Sequence, residues 1–445
     1  MIQIALLLFG VEFVRSKFWF LGLIGIVWGV MGVGVMIDGL DGELYFPLRA
    51  FGLLLLLESI VTLSVAASGV GTQRAVLYFK GGICFFVAVL ILADKVYSNL
   101  LLAIIFGFTY FVIGLLTITS AWVVRFPRWR SSLISGGAQV VFAGLLVSPY
   151  PIANSATVSF FLGALMIVSG LNTVRIARRV RRLRHGTSTF ELLAPRDLLS
   201  DFKKLPPQEP PPQLEPEPAC TDPLVVHIWT PEGTASATTI PRPIINRYIA
   251  AVDAQGVIST GHAALELSPS VYLSLYPVAD IDRSPSEFFR ILKATRNNDV
   301  PGTFQPDYAT EVANWCDSDR KIIFHRYSRK ALIEFSNNYR QQATYNLTYR
   351  NCSSSVAFAL EASMDGVLAE RSRRWRSVLQ TLLMPELWIA AQVRKRAMTM
   401  AWTPGLVMDY ARALRVIVHP VPRPWFQRIP WRGQSTKALP DKKQD

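Results

Sequence analysis

The chain has 445 residues, 51% of them hydrophobic and only 18% charged, with a formal charge of +14. An ordinary soluble domain carries about 25% charged residues, so composition excludes a wholly soluble protein, and the apolar content excludes a disordered one. The excess is uneven: the first 174 residues hold nine Lys or Arg and six Asp or Glu.

In chain order, MIQIALLLFG lacks a basic leading region, which argues against a cleaved signal peptide. The short Ile2–Val14 stretch reads as an interfacial helix. Six apolar stretches follow, near 18–37, 46–66, 76–93, 100–122, 131–148 and 157–174. Each is close to the roughly 20 residues that a helix needs to span a bilayer. Basic residues gather at alternate ends: Arg15 and Lys17, Arg74 and Lys80, Arg125 with Arg128 and Arg130, and six Arg from Arg175 to Arg184. By the positive-inside rule both termini face the cytoplasm. Glu58 and Lys80 fall within or beside spans. Lys80 is placed to snorkel, and Glu58 reads as a structural ion pair, a hydrogen-bonded carboxyl or a proton path.

The spans repeat. Gly25, Gly81 and Gly136 recur in odd spans, and Gly52, Gly107 and Gly163 in even ones. Seven residues after each even-span glycine stands a small residue (Ser59, Gly114, Gly170), and ten after it a threonine (Thr62, Thr117, Thr173). Seven residues is two helical turns, so each small pair shares a face, where helices can approach closely. Three copies of a helical hairpin fit this register. The arrangement resembles the HdeD-like family of small bacterial acid-resistance membrane proteins, which implies a six-helix bundle in a bacterial inner membrane and a link to stress response.

Residues 206–223 contain eight prolines and read as an extended spacer. The expected organisation is a membrane domain over 1–185, a spacer over 186–223, an α+β domain over 224–368, basic amphipathic helices over 369–432 and a disordered tail over 433–445. In the α+β domain, 224–230, 261–267, 271–276 and 321–327 read as strands, and 246–253 as a strand or short helix. Ser328 caps a helix to about Gln342, and Asn351 caps another beginning at Cys352.

Four cysteines without a C-x-x-C pair argue against a zinc site or a disulfide framework. No cofactor or metal motif is present, and none is expected. Cys352 opens a helix, whose positive end favours thiolate. A cysteine nucleophile needs a base, and His262, on a strand after Gly261, suits that role. His227 and His325 read as strand histidines in the core or at an edge. The order GHAALEL, VYLSLY, then YNLTYRNCSSSVAFAL resembles the circularly permuted papain-like superfamily, which includes NlpC-type peptidases, lecithin:retinol acyltransferase-like proteins and YiiX-like hydrolases. The resemblance implies Cys352 as nucleophile and His262 as base. A third residue would orient the imidazole, and Ser274, Tyr272, Tyr276 and Glu266 are the candidates.

Residues 371–432 hold twelve basic residues against Glu386 and Asp409, interleaved with Trp375, Leu379, Trp388, Trp402 and Trp425. This suits an anionic lipid surface rather than nucleic acid. The expected protein is a membrane-anchored cysteine hydrolase or acyltransferase acting on a peptide or lipid substrate. The alternatives are a non-enzymatic stress-response membrane protein whose soluble domain binds a partner, and a transporter, against which the few polar positions in the spans weigh.

Overall fold

The structure is a computed structural model that describes residues 1–38, 48–66, 72–93, 95–148, 154–182, 188–204, 222–230, 251–252, 258–259, 261–279, 281 and 285–420. The chain divides into two compact units, one holding residues 47–94 and 421–445 and the other the rest.

The N-terminal helices are α1 (Ile2–Phe9), α2 (Val11–Ser16) and α3 (Phe18–Asp38). The long helices continue with α4 (Leu48–Ala66), α5 (Thr72–Leu92), α6 (Lys95–Val124), α7 (Trp129–Val147) and α8 (Asn154–Arg181). Among the described residues, four helices are long and apolar enough to cross a membrane, within α3, α6, α7 and α8. Their large side chains point outward: Trp28, Phe108, Leu116 and Ile134 are exposed, as suits helices solvated by lipid.

The helices pair α3 with α8, α4 with α5 and α6 with α7. A similar small-residue contact occurs in each pair. A Cβ on Gly25 would lie 2.9 Å from the Gly170 carbonyl oxygen, and one on Gly114 would lie 2.9 Å from that of Gly136. In the third pair, Ser59 Oγ donates to the Gly81 carbonyl at 2.9 Å. In each pair a small residue of one helix thus meets a glycine of the other. Thr62 and Thr173 are buried. Thr117 and Thr173 return their hydroxyls to the carbonyls four residues back, so these two donors are satisfied within their own helices. Glu58 lies on an exposed face of α4.

The N-terminal stretch does not lie along an interface. α1 is buried almost throughout, because its last turn is taken up by the α+β domain: Gly366 N donates to Leu7 O at 2.9 Å and Leu368 N to Leu8 O at 2.7 Å. Gly10 allows the crossing. It has φ 82°, and a Cβ there would stand 2.9 Å from Gly366 Cα.

Two further helices, α9 (Phe190–Leu193) and α10 (Arg196–Lys204), lie where a spacer was expected from residue 186 onward. Phe190 and Phe202 pack edge-on against Phe335, and Asp365 receives Ser188 Oγ and Thr189 N. Residues 188–204 therefore belong to the packed unit. The proline run from 206 to 221 and the tail beyond 420 lie outside the described residues, as does most of 246–253.

The α+β domain contains β1 (Leu224–Trp229), β2 (Ala251–Val252), β3 (Ile258–Ser259), β4 (His262–Leu267), β5 (Val271–Leu273) and β6 (Leu275–Pro277). After them come α11 (Pro285–Ile291), β7 (Val300–Phe304), α12 (Tyr308–Asn314), β8 (Arg320–Phe324), α13 (Arg329–Arg340), β9 (Thr344–Tyr345) and α14 (Cys352–Ser363). The main sheet is antiparallel with order β5-β4-β1-β8, β2 pairs with β3, and β6-β7-β9 form a second sheet. The stretch expected as one strand over 271–276 breaks at Ser274, where the chain passes from the first sheet to the second.

All twelve residues of α14 are buried, and apart from Glu361 its sequence is apolar or small, as suits a helix enclosed by a domain. It packs against β4 and α13. The basic C-terminal sequence forms α15 (Ala369–Ser372), α16 (Trp375–Leu382), α17 (Pro385–Thr399) and α18 (Pro404–Val418). α18 is largely buried against α14 and the sheet, so it is core and not a lipid-binding face. Arg394 of α17 is buried too. Its Nε donates to Glu361 at 2.6 Å, and Tyr410 donates to the same carboxylate at 3.0 Å.

Candidate active site

Three pieces of local chemistry build the site. The first is the start of α14. Asn351 Oδ1 accepts from Ser354 N at 2.7 Å, and Ser354 Oγ accepts from Asn351 N at 2.8 Å, a closed capping box. The Asn351 amide also donates to Leu347 O and Trp402 O, fixing the cap from the opposite side. Cys352 is thereby held at the first helical position, where the backbone N–H groups of Cys352 and Ser353 have no partner within the helix.

The second is the start of β4. Gly261, with φ 67°, turns the chain into the strand, and His262 pairs with Trp229 of β1. His262 is 4% exposed and Cys352 7%. His262 and the Ala263 N–H both act on the Cys352 thiol, and its sulfur lies 3.8 Å from Ser353 Oγ. Burial pushes the Cys352 thiol up, but the charge and hydrogen bond of His262, with those of Ala263 and Ser353, outweigh it, and the net direction is down.

The third is what holds the imidazole. His262 Nε2 lies 2.8 Å from Ser274 Oγ and 3.3 Å from Glu311 Oε1. Tyr276 stacks on the ring, with centroids 4.1 Å apart and planes at 18°. Glu311 is buried and accepts hydrogen bonds from Tyr272 (2.5 Å) and Tyr276 (2.7 Å). Burial, reinforced by the Glu311 carboxylate, pushes both phenols far up, so both stay protonated and keep donating.

Of the sequence candidates for the third position, Ser274 touches the imidazole directly, Tyr276 stacks on it, and Tyr272 acts through Glu311. Glu266 does not belong. Four residues along β4 from His262 it lies on the same face but one pair further on, beside His227 of β1, and its carboxylate lies 2.8 Å from His227 Nε2. His227 is held on its other nitrogen by Ser318 Oγ at 3.1 Å and stacks on Tyr308. His325 lies beyond the end of β8, where its N–H donates to His419.

Sequence reasoning missed Glu311. The available signal was Asp307, whose side chain caps the next helix by accepting from Thr310 N at 2.7 Å, and a glutamate on the inner face of that short helix. Trp315 follows that helix. It is exposed, stacks on Trp229 at 5.7 Å and meets His262 edge-on at 6.4 Å, so it stands where solvent approaches the pair. A separate cavity of about 440 Å³ lies behind α14, lined by Tyr339, Arg350, Phe358, Met398 and Trp402; neither Cys352 nor His262 lines it.

Compared with models of known protein families, with curated proteins and with solved structures, the chain matches none.

Proposed function

We propose that this chain is a membrane-anchored cysteine hydrolase or acyltransferase. The observation that carries the reading is the buried relay Cys352–His262–Glu311, with Ser274 beside it. A capped helix start, a thiol whose acidity is raised, and an imidazole held in place are the requirements of a cysteine nucleophile.

In the reaction, the Cys352 thiolate forms a C–S bond to the carbonyl carbon of an amide, ester or thioester. The C=O electron pair moves onto oxygen, where the N–H groups of the first turn of α14 are placed to receive it. As the carbonyl re-forms, the bond to the leaving group breaks and the His262 imidazolium gives that group its proton. The acyl thioester on Cys352 then passes to water or to an acceptor hydroxyl or amine, with His262 taking the attacking group's proton. The order of His strand before Cys helix, like that of the permuted papain-like superfamily, supports the same chemistry.

The reading includes six spans in three hairpins, by the recurrence of the small-residue contact in α4 and α5, and termini on the cytoplasmic side, by the basic residues at alternate span ends. It is tested by alkylating the intact protein with iodoacetamide and following each cysteine by mass spectrometry. Cys352 reacts near neutral pH faster than exposed Cys316, and His262→Ala slows Cys352 alone. Equal rates at Cys352 and Cys316 refute the proposal.

A further inference from the structure

Most of the basic C-terminal sequence is used inside the protein. α18 is core, Arg394 of α17 pairs with Glu361, and Arg371 Nη1 donates to Ile417 O at 3.2 Å. α16 differs. Trp375, Leu379 and Leu383 follow one another at four-residue spacing and are 70%, 47% and 72% exposed. Side chains so spaced share one helix face. Arg373, Arg374 and Arg376 are exposed around them, with the Arg376 guanidinium 5.7 Å above the Trp375 ring. No acidic residue occurs from Arg371 to Pro385.

The location is also fixed. Leu368, just before α15, is hydrogen-bonded to Leu8 in the last turn of α1. From there α2, about 9 Å long at 1.5 Å per residue, leads directly into α3, a helix apolar enough to cross the membrane. Val14 of α2 packs with Val180 near the end of α8, beside the arginines of its last turn. The start of α16 is therefore tied to the end of the helix pair α3 and α8 that carries the basic cluster.

We propose that α16 lies in the interface of the leaflet that the chain's own helices cross. Trp375, Leu379 and Leu383 sit at the acyl boundary and Arg373, Arg374 and Arg376 contact anionic headgroups. Exposed apolar residues ringed by arginine fit such a surface, where tryptophan and arginine each keep a polar end in the headgroup layer.

The test uses the full chain carrying Leu379→Cys in nanodiscs of phosphatidylglycerol or of phosphatidylcholine alone. Reaction with a membrane-impermeant maleimide is read at residue 379, with exposed Cys316 as the internal reference. In phosphatidylglycerol discs, position 379 reacts about tenfold more slowly relative to Cys316 than in phosphatidylcholine discs. Reversing the three arginines to Glu, all on the surface, abolishes that difference. Equal rates in both discs with 379 fully reactive would overturn the proposal. So would protection that persists in phosphatidylcholine and survives the reversals, which would assign the face to a second copy of the chain.

Discussion

Glu311→Gln is the most informative perturbation of the site. The substitution keeps size and hydrogen-bonding capacity but removes the carboxylate 3.3 Å from His262 Nε2. The two tyrosine donors lose one acceptor oxygen between them. A unit charge pair at that distance is worth about 5 kcal/mol gross at an effective dielectric constant of about 20. After desolvation and compensation, a charge-assisted hydrogen bond contributes about 1.5–3 kcal/mol net. That energy holds His262 where it lowers the Cys352 thiol, and so supports thiolate over thiol at Cys352. With about 1.4 kcal/mol per decade, Glu311→Gln slows alkylation of Cys352 at neutral pH by about tenfold to a hundredfold.

The pH profile gives the sign. The folded thiol ionises below its ordinary value, so in the unaltered protein the rate rises with pH and levels off below the ordinary thiol range. In Glu311→Gln the rise moves to higher pH. Rates are followed by intact mass across the pH range. Glu266→Gln, which touches His227 instead, is the matched control and leaves the profile in place. A Glu311→Gln profile that superimposes on the unaltered one would refute the assignment of Glu311 as the residue that positions His262.

Other expected outcomes follow from the same geometry. Ser274→Ala removes one neutral hydrogen bond to His262, costs about 1 kcal/mol, and slows Cys352 alkylation by less than tenfold. Asn351→Ala removes the cap of α14 and costs about 0.5–2 kcal/mol of stability, measured by denaturant unfolding, while slowing alkylation because Cys352 loses its fixed position. Arg394→Ala leaves Glu361 buried without its cation and destabilises by about 3–5 kcal/mol, read as a lowered melting temperature; an unchanged melting temperature would place Arg394 at the surface. Gly170→Leu forces apart α3 and α8, where even a Cβ would stand 2.5 Å from Gly25 O, and lowers thermal stability in detergent, whereas Gly29→Ala, with open space around it, does not.

The parts of the fold legible in sequence are those set by local signals. The apolar stretches expected over 18–37 and 131–148 coincide with α3 and α7, because length and hydropathy alone decide such helices. Ser328 and Asn351 mark their helix starts, because a cap is a contact within three residues. His262 and Cys352 were each readable from their own element, one on a strand after glycine and the other at a helix start.

Features decided by distant contacts were not legible. The α1 segment has the composition of an interfacial helix, but hydrogen bonds to Gly366 and Leu368, more than 350 residues away, bury it. Arg394 and Arg376 look alike in sequence, and only the position of Glu361 on α14 makes one an internal ion pair. Glu266 and Glu311 were both available carboxylates. Strand pairing with β1 turned Glu266 to His227, and the packing of a seven-residue helix turned Glu311 to His262.

The central claim is that Cys352 forms a covalent acyl intermediate. The direct measurement is rapid mixing of the intact protein with a p-nitrophenyl ester, following released nitrophenol and mapping the acyl group by mass spectrometry. The account expects a burst stoichiometric with protein and an adduct on Cys352, both lost in Cys352→Ala and slowed in His262→Ala. Absence of a burst, or acylation of Cys84 and Cys316 as fast as Cys352, would contradict it.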